Sequence, residues 1–292
     1  MKLTSLPVAF AVSTLAVGLA TTGLTAADAG TGPSFTGPVG LQLYSLRDSF
    51  KTNVTGSLDK VQKLGFKYAE LAGTYGLEAA QFKALLAARG ITPIATHIGF
   101  EQWRVNPEAA AAEAAALGLK FVGCAWIPHQ GDFDEKTCRE AIAVFNRAGE
   151  ALAKRGMKFF YHVHGYEFQP FGQGTLFDLL MTGTNPKTVS FEMDIFWIVF
   201  PGQDPVKLLQ KYSTRWELMH LKDMRKGLKT GSLSGGTDVT NDVACGEGQM
   251  DLPAILKAAK QVGVKWYFIE DESPSVEQQL PVSLRYLEGV KF

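Results

Sequence analysis

The chain has 292 residues, 46% of them apolar, and its 29 Lys and Arg are balanced by 29 Asp and Glu. Neutrality excludes the broad positive field that draws a protein onto nucleic acid or an acidic membrane. The apolar content suits one substantial core and falls short of a polytopic membrane protein.

Residues 1–29 read as a secretory leader. Lys2 opens it, a largely apolar, uncharged run covers Leu6 to Ala20, and Thr25-Ala26-Ala27-Asp28-Ala29 supplies small residues for cleavage near Ala26 or Ala29. The alternative is an uncleaved membrane anchor; no Cys is present there for a lipid anchor. Residues 30–38, rich in Gly, Thr, Pro and Ser, read as a linker to a single domain over 39–292. Export would place the chain in a periplasm or outside the cell. Cys124, Cys138 and Cys245 form neither a disulfide framework nor a zinc-ligand spacing, and buried thiols are expected.

From residue 39 onward, strand-length apolar runs alternate with amphipathic stretches. The expected strands are Val39–Tyr44, Lys67–Leu71, Thr92–His97, Phe121–Trp126, Lys158–His164, Thr188–Asp194, Trp216–Leu221 and Lys265–Glu270. Helix-like segments between them end at Gly65, Gly90, Gly118 and just before Gly156, where a helix C-cap favours glycine. Eight strands alternating with helices imply a parallel sheet, and the length suits closure into a (β/α)₈ TIM barrel. Gly40-Leu41-Gln42 lacks the glycine spacing of a dinucleotide-binding turn. Met224–Met250, a Gly-rich insertion after the seventh strand, is expected to lie over the mouth of the barrel.

Successive strand residues face opposite sides, so polar residues two apart share one face. His162/His164, Glu192/Asp194, His220/Lys222 and Glu270/Glu272 are such pairs, each at the C-terminal end of its strand, with Gln42/Tyr44 on the first. Buried polar side chains cost free energy unless partnered, and the C-terminal ends of barrel strands form the active-site face. Carboxylate and imidazole from different strands make a ligand set for Mn²⁺, Mg²⁺, Co²⁺ or Zn²⁺. Asp194, His220 and Glu270 are the clearest ligand candidates, and strand five offers His162, His164 and, just beyond it, Glu167. Glu192 reads as support for a neighbour, Glu272 as a loop residue, and His129 as a solvated loop histidine.

At these residues the chain resembles the sugar phosphate isomerase/epimerase family with the xylose-isomerase-like barrel, nearest its exported branch of inosose dehydratase relatives and 3-keto-glycoside lyases. The resemblance rests on Gly40-Leu41-Gln42-Leu43-Tyr44-Ser45-Leu46-Arg47-Asp48, Tyr161-His162-Val163-His164 with Glu167-Phe168, and Phe191-Glu192-Met193-Asp194. Trp197, Gly202-Gln203-Asp204-Pro205, His220-Leu221-Lys222-Asp223, Gly246-Glu247-Gly248 and Ile269-Glu270 extend it across residues 39–287. The family's metal set is Glu, Asp, His, Glu on strands five to eight, so the resemblance implies Asp194, His220 and Glu270 as ligands. His162 stands where the family's first Glu would be, with Glu167 as a neighbouring ligand. That departure removes one glutamate from the pair epimerases use for opposite-face proton transfer.

The expected chemistry is lyase or hydratase action on a 3-keto-glycoside supplied by a sugar-oxidising oxidoreductase, through C2 deprotonation and an enediolate. Glu70, His97, His164 and Lys222 are the acid or base candidates. Tyr44, Trp126, Phe196 and Trp197, with Gln42, would wall the sugar pocket. The alternatives are an isomerase or epimerase of a non-phosphorylated sugar, a catalytically silent carbohydrate-binding barrel, and a metal-dependent endonuclease, which lacks the basic face it needs.

Overall fold

The structure, a computed structural model, describes Met1 and residues 28–292. The leader assigned to residues 1–29 therefore lies almost entirely outside the described residues. Eight parallel strands close a barrel: β1 Val39–Gln42, β2 Tyr68–Leu71, β3 Thr92–His97, β4 Phe121–Cys124, β5 Lys158–His162, β6 Val189–Asp194, β7 Trp216–Leu221 and β8 Trp266–Ile269. Each pairs with its neighbours in sequence, and β8 pairs with β1 to complete the ring. Every expected strand is present, several of them shorter by one or two residues at the polar end. There, Tyr44, Trp126 and His164 leave the sheet and enter the loops that form the mouth.

The helices end where the glycines foretell. Gly65, Gly90, Gly118 and Gly156 all have φ between 67° and 86°, the left-handed conformation that closes a helix without a Cβ clash. Two apolar zones flank the strands. Outward-facing residues such as Leu41, Val122, Phe159, Phe191 and Met219 pack under the helices. Inside the barrel, Ile94, Ala95, Phe121, Phe160, Leu218 and Phe268 form a separate fully lumenal layer, with Tyr68 and Trp266 at its base.

Residues 30–38 lie against this scaffold. Phe35 is 2% exposed and meets Tyr267 edge-on at 4.9 Å, Lys260 donates to the Ser34 carbonyl, and the Gly30 amide donates to Glu288 Oε1. Their Gly- and Pro-rich composition thus serves tight packing instead of a loose linker. Cys124, Cys138 and Cys245 are free and buried, as expected. Among the described residues, no helix is long and apolar enough to cross a membrane.

The insertion after β7 begins with a two-residue ribbon, Asp223–Met224 against Asp242–Val243. The buried Asp223 carboxylate accepts from the amides of Met224, Gly246, Gly248 and Met250, so one side chain fastens both ends of the excursion. Its tip reaches across to the loops after β4 and β5: a Cβ on Gly235 would lie 2.6 Å from Tyr166 and 3.2 Å from Trp126.

Candidate metal and sugar site

Above the lumenal aromatic layer, the same strand faces turn polar. Phe160 gives way to His162 and His164, Leu218 to His220 and Lys222, and Phe268 to Glu270 and Glu272. The strand register brings these ends together: His162 is level with Glu192, and Asp194 with His220.

His162, Asp194, His220 and Glu270 each present one donor atom, and all four atoms lie within 4.8 Å of one another. All four side chains are buried. Asp194 caps the short helix Ile195–Val199, its Oδ1 accepting from the amides of Phe196 (2.9 Å) and Trp197 (3.1 Å). Its Oδ2 is buried without a hydrogen-bond partner and faces His162 Nε2 at 3.8 Å and His220 Nδ1 at 3.7 Å. His220 Nδ1 also lies 3.0 Å from Glu270 Oε2. Two imidazoles and two carboxylates at this spacing, with an orphaned oxygen among them, fit a divalent cation.

The charges agree with that fit. Burial would lower His220, but Glu192, Glu270 and Glu70 around it hold its imidazolium well above the ordinary histidine range. Lys222 Nζ lies 2.8 Å from Glu270 Oε2, 2.8 Å from Glu272 Oε1 and 3.3 Å from Asp194 Oδ2. Burial works against the Lys222 ammonium, yet these carboxylates outweigh it and hold it well above the usual lysine value. Lys222 thus sits among the carboxylates that border the four-donor cluster.

Below the four donors lies a second tier. Glu70, Glu192 and Gln42 are buried, and His97 Nε2 is 3.1 Å from Glu70 Oε1 and 3.3 Å from Glu192 Oε2. Glu70 also takes the Gln42 side-chain amide and His220 Nε2, the latter at 3.1 Å. Burial, aided by the Glu192 charge, pushes the Glu70 carboxyl up to about 7. Glu70, an acid or base candidate in the sequence, is 0% exposed beneath the four donors.

A cavity of about 500 Å³ opens over the cluster, lined by Gln42, Tyr44, Ala72, Gly73, His97, Ala125, Trp126, His162, His164, Glu270 and Glu272. Tyr44 and Trp126 are 43% and 41% exposed at its rim. His164 stacks on Trp197 at 5.6 Å and meets Trp126 edge-on at 5.3 Å, so Trp197 backs the histidine instead of walling the cavity. Phe196 is fully buried beside it, in a satellite cluster with Trp197, Phe200 and Met224. Burial pushes the His164 imidazolium down to about 4, which leaves the ring neutral near pH 7, and its Nδ1 has no hydrogen-bond partner. His129 lies outside the cavity wall, with Nδ1 2.7 Å from the Ile127 carbonyl.

Glu167 does not join the cluster, which corrects its assignment as a ligand. Gly165, at φ 89°, turns the chain sharply where a Cβ would lie 2.6 Å from the Trp197 carbonyl. The turn carries Glu167 to the outer side of β5. There it accepts from the Tyr161 hydroxyl and the His164 amide, while Tyr161 and Tyr166 share a 2.8 Å hydrogen bond. Burial raises the Glu167 carboxyl to about 7. Glu192 supports a neighbour, accepting from His162 Nδ1 at 3.0 Å, and Glu272 lines the cavity beside Lys222, on the faces given by their period-two spacing from Asp194 and Glu270.

The profile of the xylose isomerase-like TIM barrel family matches residues 58–291. A curated inosose dehydratase from Clostridium botulinum (strain Alaska E43 / Type E3) is 30% identical over 169 residues, 54% of this chain and 55% of that protein. The chain thus aligns with about half the length of the curated relatives it matches. A crystal structure of a sugar phosphate isomerase/epimerase from Parabacteroides distasonis superposes with a TM-score of 0.72 at 26% identity, covering 86% of this chain and 98% of the other. The IOLI protein with a binding zinc atom shares the fold, with a TM-score of 0.67 at 15% identity over 85% of this chain and 94% of its own. Matched over most of its length, the chain belongs to the xylose isomerase-like TIM barrel family.

Proposed function

We propose that the chain is a metal-dependent lyase that eliminates the aglycone from a non-phosphorylated 3-keto-glycoside. The observation that carries the reading is a neutral, unpartnered His164 on the wall of a sugar-sized cavity whose floor holds His162, Asp194, His220 and Glu270. When bound by those four residues, a divalent cation would supply the positive charge that stabilises the oxyanion formed next to a carbonyl on deprotonation.

The residues divide the remaining work. His164 takes the C2 proton on its ring nitrogen; the C2–H electron pair becomes the C1–C2 double bond, and the C1–O pair leaves with the aglycone, which gains a proton. His97 is held by Glu70 and Glu192, and Lys222 by three carboxylates, which favours His164 as the base. Lys222 adds fixed positive charge beside the cation site. Tyr44 and Trp126 offer exposed aromatic faces to the sugar ring. Arg225 is turned to the Thr240 carbonyl and does not line the cavity.

The inosose dehydratase relative and the zinc-bearing structural neighbour are consistent with eliminations on keto-sugars and with a divalent ion. The leader-like residues 1–29 support export, and an oxidoreductase that installs the 3-keto group would act upstream. Purified protein with Mn²⁺ and a 3-keto-glucoside should release aglycone, and chelator should stop it. Ketose–aldose interconversion of a free sugar without release would establish the isomerase alternative and overturn the lyase.

A further inference from the structure

The mouth of the barrel is closed on one side and open on the other. Toward β4 and β5, the insertion tip at Gly235 packs against Trp126 and Tyr166, and Trp197 stacks behind His164. Toward β8 and β1, a second cavity of about 400 Å³ adjoins the first. Glu272 lines both cavities. Its carboxylate is tied to Lys222 at 2.8 Å, its amide donates to Asp242 Oδ2 at 3.0 Å, and its carbonyl accepts from Arg47 Nη2 at 2.8 Å. Arg47 lines the second cavity, and its guanidinium lies 4.7 Å over the ring of Tyr44, which lines the first. The two cavities therefore share a wall made of Glu272 and the Tyr44–Arg47 pair.

We propose that the second cavity is the leaving-group subsite of the keto-glycoside, and that it takes a polyhydroxylated aglycone such as a second sugar ring. The inference deepens the lyase reading above and rests on it. The keto-sugar ring occupies the first cavity, its C1 substituent projects beyond that ring, and the second cavity lies on the side that the insertion tip leaves open. The lining suits hydroxyls, which both donate and accept. The Glu277 carboxylate accepts, and the Ser49 hydroxyl and Gln278 amide do both. Arg47 spends N–H groups on the Tyr44 and Glu272 carbonyls and keeps others free to donate. Val239, carried in by the insertion and 37% exposed, adds an apolar face for the carbon side of a sugar ring. A flat aromatic aglycone would strip water from these polar groups without replacing its hydrogen bonds.

The test is kcat/KM for aglycone release by the Mn²⁺-loaded chain from three 3-keto-glucosides, with glucosyl, methyl or phenyl leaving groups. Each substrate is compared with itself between wild type and variant, so differences in leaving-group acidity cancel. Val239→Trp, at an exposed position, narrows the subsite and should lower the glucosyl substrate about tenfold more than the methyl one, the loss of one or two hydrogen bonds. Gln278→Leu, also at an exposed position, removes a donor and an acceptor at nearly constant size. It should shift preference from glucosyl toward phenyl by about three- to tenfold. Thermal unfolding checks that each variant folds, and should one fail, the other decides. Equal changes on all three substrates overturn the inference and leave the lyase reading standing. A loss confined to the phenyl substrate overturns the hydroxylated class. Release from none of the three by the wild type overturns the inference and the lyase reading together.

Discussion

The lower and upper halves of the barrel lumen are built by the same strands two residues apart, and they obey opposite rules. Below, Ile94, Phe121, Phe160, Leu218 and Phe268 fill the lumen with apolar side chains. Above, Glu70 Oε2, Glu192 Oε1 and Asp194 Oδ2 are buried with no hydrogen-bond partner, and cationic Lys222 is crowded by carboxylates. A buried polar atom without a partner destabilises a fold, so the upper tier persists because the layer beneath and the helices around it hold the strands in place. Stability lies in the lower layer and chemistry in the upper one. The closed parallel barrel lets both occupy one lumen.

The separation is breakable from either side. Replacing His164 with Gln should lower turnover of a 3-keto-glucoside about 10²–10⁴-fold while metal affinity stays unchanged, since the ring is not among the four donors; steady-state kinetics beside calorimetry reads it. Phe160→Ala, one layer below, should do the reverse. Denaturant unfolding should show a loss of about 3–5 kcal/mol, with metal stoichiometry intact in the folded fraction.

Glu167→Gln sharpens the boundary on the outer side of β5. It should cost about 1–3 kcal/mol through the Tyr161 and His164 amide contacts and leave metal affinity at the wild-type value. A lost metal site in that variant would restore Glu167 as a ligand. The smallest effect belongs to the floor acid Glu217, which Lys158 and Lys265 grip. Burial there would raise its carboxyl, yet the two lysines hold it below the ordinary value, opposite to Glu70 in the upper tier. A depressed folded-state value means stability present above the unfolded glutamate pKa and lost as pH falls through the folded one. Glu217→Gln should therefore flatten the acid side of a stability–pH curve below about pH 4.5 and lower its neutral plateau slightly, with the two curves converging at low pH.

Much of this was legible beforehand. The eight strands follow from apolar runs, the helix ends from Gly65, Gly90, Gly118 and Gly156, and the face of His162, Asp194, His220 and Glu270 from period-two spacing. The roles of Glu70, Glu167 and Lys222 were not. Glu70 and Glu167 are both acids near a strand end, yet one lies beneath the ligands and the other behind β5. Glu70 lies within β2 and faces the lumen, whereas Glu167 follows the turn at Gly165.

The sequence by itself determined which residues form strands and which side of each strand is polar, because backbone geometry fixes that alternation locally. Tertiary structure decided height. The register shift between Phe191 and Glu192 against β7, together with barrel closure, sets Asp194 level with His220 and leaves Glu192 a tier lower, beside His162. Stagger between strands is a property of the closed ring, and a period read along one strand carries no information about it.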